Sequence, residues 1–291
     1  MDHDHYRFSA LPTRPTVTWP GGARVAVVVS VAVERSAAVK DPGQWLPPGH
    51  PTWLDVSAAS LADYGGRVGF FRLARILDEV GVPATVPISD AVLYESPRVA
   101  EEALWRRWEL VGHGPRADCL LTSELPAEQE LRMLRESREA IAAVAGSAPR
   151  GWLGPRQSES ARTPQLAAEA GYEYLLDWGN DDQPYEMAAA APGGPLVSVP
   201  APIDLCDLLV MGDYAQTPWD FGAALTEHLE VLLAEGSGGR CMTLTLHAQH
   251  SGQAFRAKYI RAFLERARSL DGVWFATAGE VVAAFRHSGT R

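Results

Sequence analysis

Val25-Ala26-Val27-Val28-Val29-Ser30-Val31-Ala32-Val33 is an unbroken apolar, β-branched run, and Glu34-Arg35 follow it directly. A run of this kind without alternation is the pattern of a strand covered on both faces, as in the middle of a parallel sheet. A carboxylate placed right after it must face water, a partner or a site, because an unpaired buried charge is costly. Glu34 is therefore the first candidate functional residue.

Outward from this strand, residues 1–22 are rich in Pro, Gly and polar groups and read as an arm lying on the surface, while residues 23–291 read as a single domain. A long loop marked by Pro42, Gly43, Pro47, Pro48, Gly49 and Pro51 comes next, of a length that is more often functional than not. Helical spacing then predicts a helix over 67–80, stopped by Gly81, and a strand over 83–88. The same reading gives helices at 101–108, 126–144, 164–170, 219–234, 254–270 and 278–285. Strands are expected at 109–111, 151–153, 174–176, 196–199, 242–246 and 273–275. This rhythm implies a parallel sheet covered by helices, open or closed into a barrel, with chemistry at the C-terminal edge of the strands.

Composition narrows the partners. With 46% hydrophobic and 21% charged residues among 291, the chain can bury one large core. A formal charge of −10 argues against nucleic acid or an anionic membrane surface as main partners. Cys119, Cys206 and Cys241 are scattered and odd in number, so they imply reduced thiols rather than a disulfide framework. The opening MDHDHYRFSALPTRPTVTWP has no apolar core of a secretory signal, and no stretch is long enough to span a membrane. A cytoplasmic protein is the expectation.

The predicted strand ends carry charged or hydrogen-bonding groups in turn: Glu34-Arg35, His113 between two glycines, Arg156-Gln157, Asp177-Trp178 with Asp181-Asp182, Asp204 through Asp207, and His247 with His250. Imidazoles and carboxylates together suit general acid–base work near neutral pH. No G-x-S-x-G elbow, no G-x-G-x-x-G after the first strand and no Walker loop is present, so nucleophilic-serine, dinucleotide and nucleotide chemistry lack their simplest support. His113 and His247 are the acid–base candidates, with Glu34; a structural hydrogen bond for His113 and a salt bridge to Arg35 or Arg156 for Glu34 are the bland readings. Arg156 could hold a carboxylate or imide oxygen with its forked donors. Trp178, Asp181, Asp182 and Asp204 are candidate substrate-binding residues, against readings as core aromatic and turn caps.

Ordered segments at these positions resemble the polysaccharide deacetylase (NodB-like) superfamily. They include Tyr64-Gly65-Gly66-Arg67-Val68-Gly69, Glu109-Leu110-Val111-Gly112-His113-Gly114, Pro149-Arg150-Gly151-Trp152-Leu153-Gly154-Pro155 and Asp177-Trp178-Gly179-Asn180-Asp181-Asp182. Ser158-Glu159-Ser160, Glu169-Ala170-Gly171-Tyr172 and Leu246-His247 with Gly252-Gln253 extend the likeness from about Trp19 to the C-terminus. The branch most similar is that of the metal-independent allantoinases. The resemblance implies an α/β fold, a distorted (β/α) barrel with its site at the top, hydrolysis of a C–N bond, and a possible homo-oligomer. Metal-dependent members hold a divalent ion with an aspartate after the first strand and an H-x-x-x-H pair; here Glu34 and His113 occupy two of those places and Ala117 the third. No cofactor is therefore expected. A metal-dependent deacetylase with Asp118 as third ligand, and a catalytically altered relative acting as a biosynthetic enzyme or a binding protein, are the rival readings. Ala248 after His247, Arg156, and Asp204-Leu205-Cys206-Asp207 in place of Glu-Leu-Asn-Asp are departures that touch the substrate wall.

Overall fold

The apolar run forms β1 (Val25–Ala32), and each of its eight residues is buried. A computed structural model describes residues 4–36, 39–40, 53–54, 56–235 and 238–288; the proline-rich loop at 42–51 lies outside the described residues. The strands that follow are β2 (Val39–Lys40), β3 (Trp53–Leu54), β4 (Thr85–Ile88), β5 (Glu109–Gly112), β6 (Gly151–Trp152), β7 (Tyr174–Leu175), β8 (Tyr185–Ala191), β9 (Gly194–Ser198), β10 (Arg240–His247) and β11 (Val273–Ala276). The helices are α1 (Val56–Tyr64), α2 (Phe70–Val80), α3 (Asp90–Glu95), α4 (Arg98–Trp105), α5 (Ala127–Ala145), α6 (Thr163–Ala170), α7 (Pro218–Glu235), α8 (Ala254–Arg268) and α9 (Ala278–Ser288).

The main sheet has the order β10-β1-β4-β5-β6-β7-β9-β8, with β11 also on β1. All its pairings are parallel except that of β8 with β9. Among the described residues no ladder joins β10 to β8, so the sheet is a curled, open (β/α) barrel. This is the helix-covered parallel sheet that the strand–helix rhythm implies, in the distorted-barrel form that the resemblance implies.

Strand parity fixes what points inward. Val25, Val27, Val29, Val31 and Val33 pack outward with Phe70, Leu73, Leu225 and Phe263 of the helical layer. Ala26 and Val28 belong instead to the barrel interior, with Val111, Leu153, Tyr174 and Cys241. Side chains alternate along a strand, so Glu34 continues the interior row of Ala26 and Val28. His113 continues that of Val111, and His247 that of Cys241. Three separate strands therefore raise an ionisable group to the same end of one barrel.

One strand lies where the sequence reading places no element, and one expectation changes. Residues 185–191 form β8, with Met187 and Ala189 buried and Glu186, Ala188 and Ala190 exposed, although the alanines favour helix. Pairing with β9 and burial on one face override that weak preference. The arm is not wholly superficial either: Val17 and Trp19 are buried, and Trp19 Nε1 donates to Arg240 O at 2.7 Å.

Candidate active site

Glu34, His113 and His247 meet at the C-terminal end of the strands. His113 Nε2 lies 2.8 Å from Glu34 Oε1, and its Nδ1 lies 2.6 Å from Leu153 O. Gln249 Nε2 donates to the other carboxylate oxygen, Oε2, at 3.0 Å. His247 Nε2 stands 3.8 Å from Glu34 Oε1, beyond hydrogen-bond reach. Behind His247, Asp207 accepts from its Nδ1 at 2.7 Å and from its backbone N–H at 2.9 Å. Ser251 N–H adds a further bond to Asp207 Oδ2 at 3.1 Å. Glu34, His113, Asp207 and His247 are each at most 3% exposed.

Charges in such a place survive only by mutual support. Burial works against the Glu34 carboxylate, but the His247 charge, then His113 and Gln249, outweigh it and hold the group down at about 2. Burial likewise disfavours a His247 cation. The charges of Glu34 and Asp207, with hydrogen bonds to Asp207 and Cys206, prevail and lift it well above its ordinary 6.5. His113 faces two acceptors, a carbonyl and a carboxylate, one at each ring nitrogen. The cluster can thus offer an ionised carboxylate beside a protonated imidazole. Burial holds His250, whose ring lies 6.5 Å from that of His247, below 6.5.

Glycines let the wall close on these groups. Gly65–Gly69 forms a π-helical turn leading into α2, a feature often found at functional sites. A Cβ at Gly65 would stand 3.1 Å from Gln249 N, and one at Gly69 would overlap the Ala248 carbonyl.

The other sequence candidates are placed as follows. Arg156 lies at the rim, in an ion pair with Asp213 at 3.0 Å, and both Arg156 and Gln157 take left-handed backbone angles, with φ of 55° and 54°. Such consecutive strain in non-glycine residues marks a constrained loop. Trp178 donates from Nε1 to Glu159 at 2.9 Å, and the rings of His5 and Tyr6 meet it edge-on. Asp204 is exposed, on the turn Ile203–Leu205. Asp207, not Asp204, is the carboxylate of that segment which enters the cluster. Asp181 binds Arg14 at 2.6 Å and caps the N–H groups of Asp182 and Gln183. Asp182 O accepts from Cys241 N, at the opposite end of β10 from His247. Six residues of strand put that pair about 20 Å from the mouth, so the expectation of substrate contacts from Asp181 and Asp182 is corrected. The sequence reading weighed Asp207 below Asp204 and left Gln249 out. Inward parity of His247 was a signal for the site, but nothing in the chain distinguished the two aspartates.

Beside the mouth, Glu159 and Asp177 form a second, half-buried acidic pair. Asp177 accepts from Gly154 N at 2.7 Å. Burial raises both carboxyls, Glu159 to about 7 and Asp177 well above 3.8, the latter also through the charge of Glu159. Groups raised on folding contribute stability below their unfolded values, lost as pH rises through the folded ones. Glu159→Gln is accordingly expected to stabilise the chain at pH 8 relative to wild type, by on the order of 2 kcal/mol. Melting curves at pH 5 and pH 8 check it: an advantage no larger at pH 8 than at pH 5 counts against a shared proton.

Comparison with known proteins fits this geometry. Residues 57–175 match the family model described as Polysaccharide deacetylase. A Schizosaccharomyces pombe protein named “Putative polysaccharide deacetylase” is 28% identical over 303 aligned residues, covering 93% of this chain and 92% of its own. The chain therefore matches the polysaccharide deacetylase family model over residues 57–175 and is similar to a protein of that name over most of its length. Its fold is also that of a Pseudomonas aeruginosa structure titled a probable polysaccharide deacetylase (TM-score 0.82, 24% identity, covering 94% of this chain and 95% of that one). The crystal structure of Puue allantoinase shares the fold too, at a TM-score of 0.79 and 23% identity, with 94% of each chain covered.

A divalent ion of the kind the resemblance implies does not fit the donors present here. Ala117 offers no side-chain ligand, and its backbone N–H is spent on Arg35 O. Asp118 is exposed, whereas Glu34 and His113 are buried. His113 already uses both ring nitrogens. A catalytic zinc site takes three protein ligands with one position open, and this position supplies two.

Proposed function

We propose that this deacetylase-family hydrolase cleaves an amide or cyclic amide C–N bond of a small metabolite, without a metal ion. The observation that carries the reading is the Glu34 carboxylate set between His113 at 2.8 Å and the Asp207-backed His247 at 3.8 Å. Both ring nitrogens of His113 are engaged, with Leu153 O and Glu34, so Glu34 rather than His113 takes the proton of the attacking water. His247 faces the carbonyl oxygen or the leaving nitrogen with its Nε2–H. Water oxygen bonds to the carbonyl carbon as its proton passes to Glu34; His247 then protonates the nitrogen as the C–N bond breaks. The two steps assist each other. The Glu34 charge is the largest influence raising His247, so once Glu34 has taken its proton His247 becomes the stronger acid. Proton return from Glu34 to His247 across the mouth completes the cycle.

Arg156 at the rim is suited to anchoring an anionic part of the substrate, because its exposed pair with Asp213 is worth about 1 kcal/mol or less and is easily displaced. Turnover of a panel of linear amides, cyclic amides and imides by the purified chain tests the reading. Prolonged chelation is expected to leave the rate unchanged, and kcat/KM is expected to fall only at a pH well above 6.5, where His247 loses its proton. Activity abolished by chelation and restored by zinc would instead establish the metal-dependent deacetylase.

A further inference from the structure

One donor beside His247 takes no proton and touches no reacting atom in that mechanism. Cys206 is buried, and its backbone bridges Thr245 of β10, two residues before His247. Its Sγ, a carboxylate oxygen of Asp207 and a ring nitrogen of His247 all lie within 4.8 Å of one another. Around tetrahedral zinc, with bonds of about 2.0–2.3 Å, ligand atoms sit roughly 3.3–3.7 Å apart. Closing these three donors on an ion therefore takes displacements of about an ångström. Asp207 is already oriented for it by the N–H groups of His247 and Ser251. The donor set of thiol, imidazole and carboxylate selects a thiophilic cation over magnesium or calcium.

We propose that Cys206, Asp207 and His247 form an inhibitory site for a thiophilic divalent cation of the zinc class. The site is distinct from the superfamily's ion position at Glu34 and His113. The ion replaces the proton that His247 Nδ1 donates to Asp207, and the Cys206 thiol gives up its own. Two protons leave to solvent, and nothing is oxidised or reduced. With its ring held neutral on the metal, His247 can no longer act as the acid; this inhibitory half rests on the proposed function, while binding does not.

Cadmium is the probe, because a cadmium–thiolate bond adds a charge-transfer band in the near ultraviolet. Titrating the metal-free full chain with cadmium is expected to give a stoichiometric band in wild type and in Cys119→Ser. Cys206→Ser is expected to lose the band and to weaken binding by at least about tenfold. Zinc inhibition of turnover, relative to each protein's own rate, is expected to require at least about tenfold more zinc in Cys206→Ser. A band that persists in Cys206→Ser, or is absent from wild type, overturns the site. Cadmium binding that needs Cys206 while zinc leaves turnover untouched overturns the inhibitory role alone, and with it the assignment of His247 as acid.

Discussion

Glu34→Gln is expected to lower kcat by about 10²–10⁴-fold in a chain that still folds. Glutamine keeps the shape of the side chain and can still meet His113 and Gln249, but it cannot take a proton from water. The substitution has a second consequence. The Glu34 charge is the largest influence raising His247 against the effect of burial. Without it, whatever activity remains should decline at a lower pH than in wild type, because His247 loses its proton sooner. The shifted limb reports the Glu34 charge on His247, and the fall in kcat reports Glu34 as the base. Rates within about tenfold of wild type, with that limb unmoved, would remove Glu34 from the chemistry.

Much of this arrangement was legible in the chain, and the reason lies in strand parity. VAVVVSVAV announces a strand buried on both faces, and an acid directly after it at an even position must continue the row of Ala26 and Val28. The same alternation carries His113 and His247 inward. Asp207 was less legible because it approaches from a turn, where no period fixes the direction of a side chain. Its neighbour Asp204 has the same chemistry and faces solvent. Asp181 and Asp182 misled for a related reason. They stand a few residues beyond the end of β7, and only the path of the chain back towards Cys241 shows that they have left the mouth. Local sequence reports an acid after a strand; it does not report where the following loop goes.

Gly69→Ala should be the most damaging of the small substitutions, and it separates backbone approach from helix preference. Gly69 has a helical φ of −62°, so alanine is conformationally acceptable there and would by propensity alone stabilise the helix by about 1 kcal/mol. Against this, its Cβ would overlap the Ala248 carbonyl, with Gly252 Cα 3.5 Å away. Backbone on both sides leaves no flexible atom to yield, and overpacking of this kind costs about 1–3 kcal/mol or more, so the clash wins. Ala248 also joins His247 to Gln249, so its displacement moves the acid and a Glu34 hydrogen-bond partner together. The expected result is a lower melting temperature accompanied by a fall in kcat at temperatures where the chain remains folded. Gly66→Ala serves as the control from the same turn: its Cβ would meet only the Ser96 side chain, at 3.2 Å, and should leave both properties close to wild type. If Gly69→Ala behaves like Gly66→Ala, the close packing of the π-helical turn on the His247–Gly252 loop is not what holds the site together.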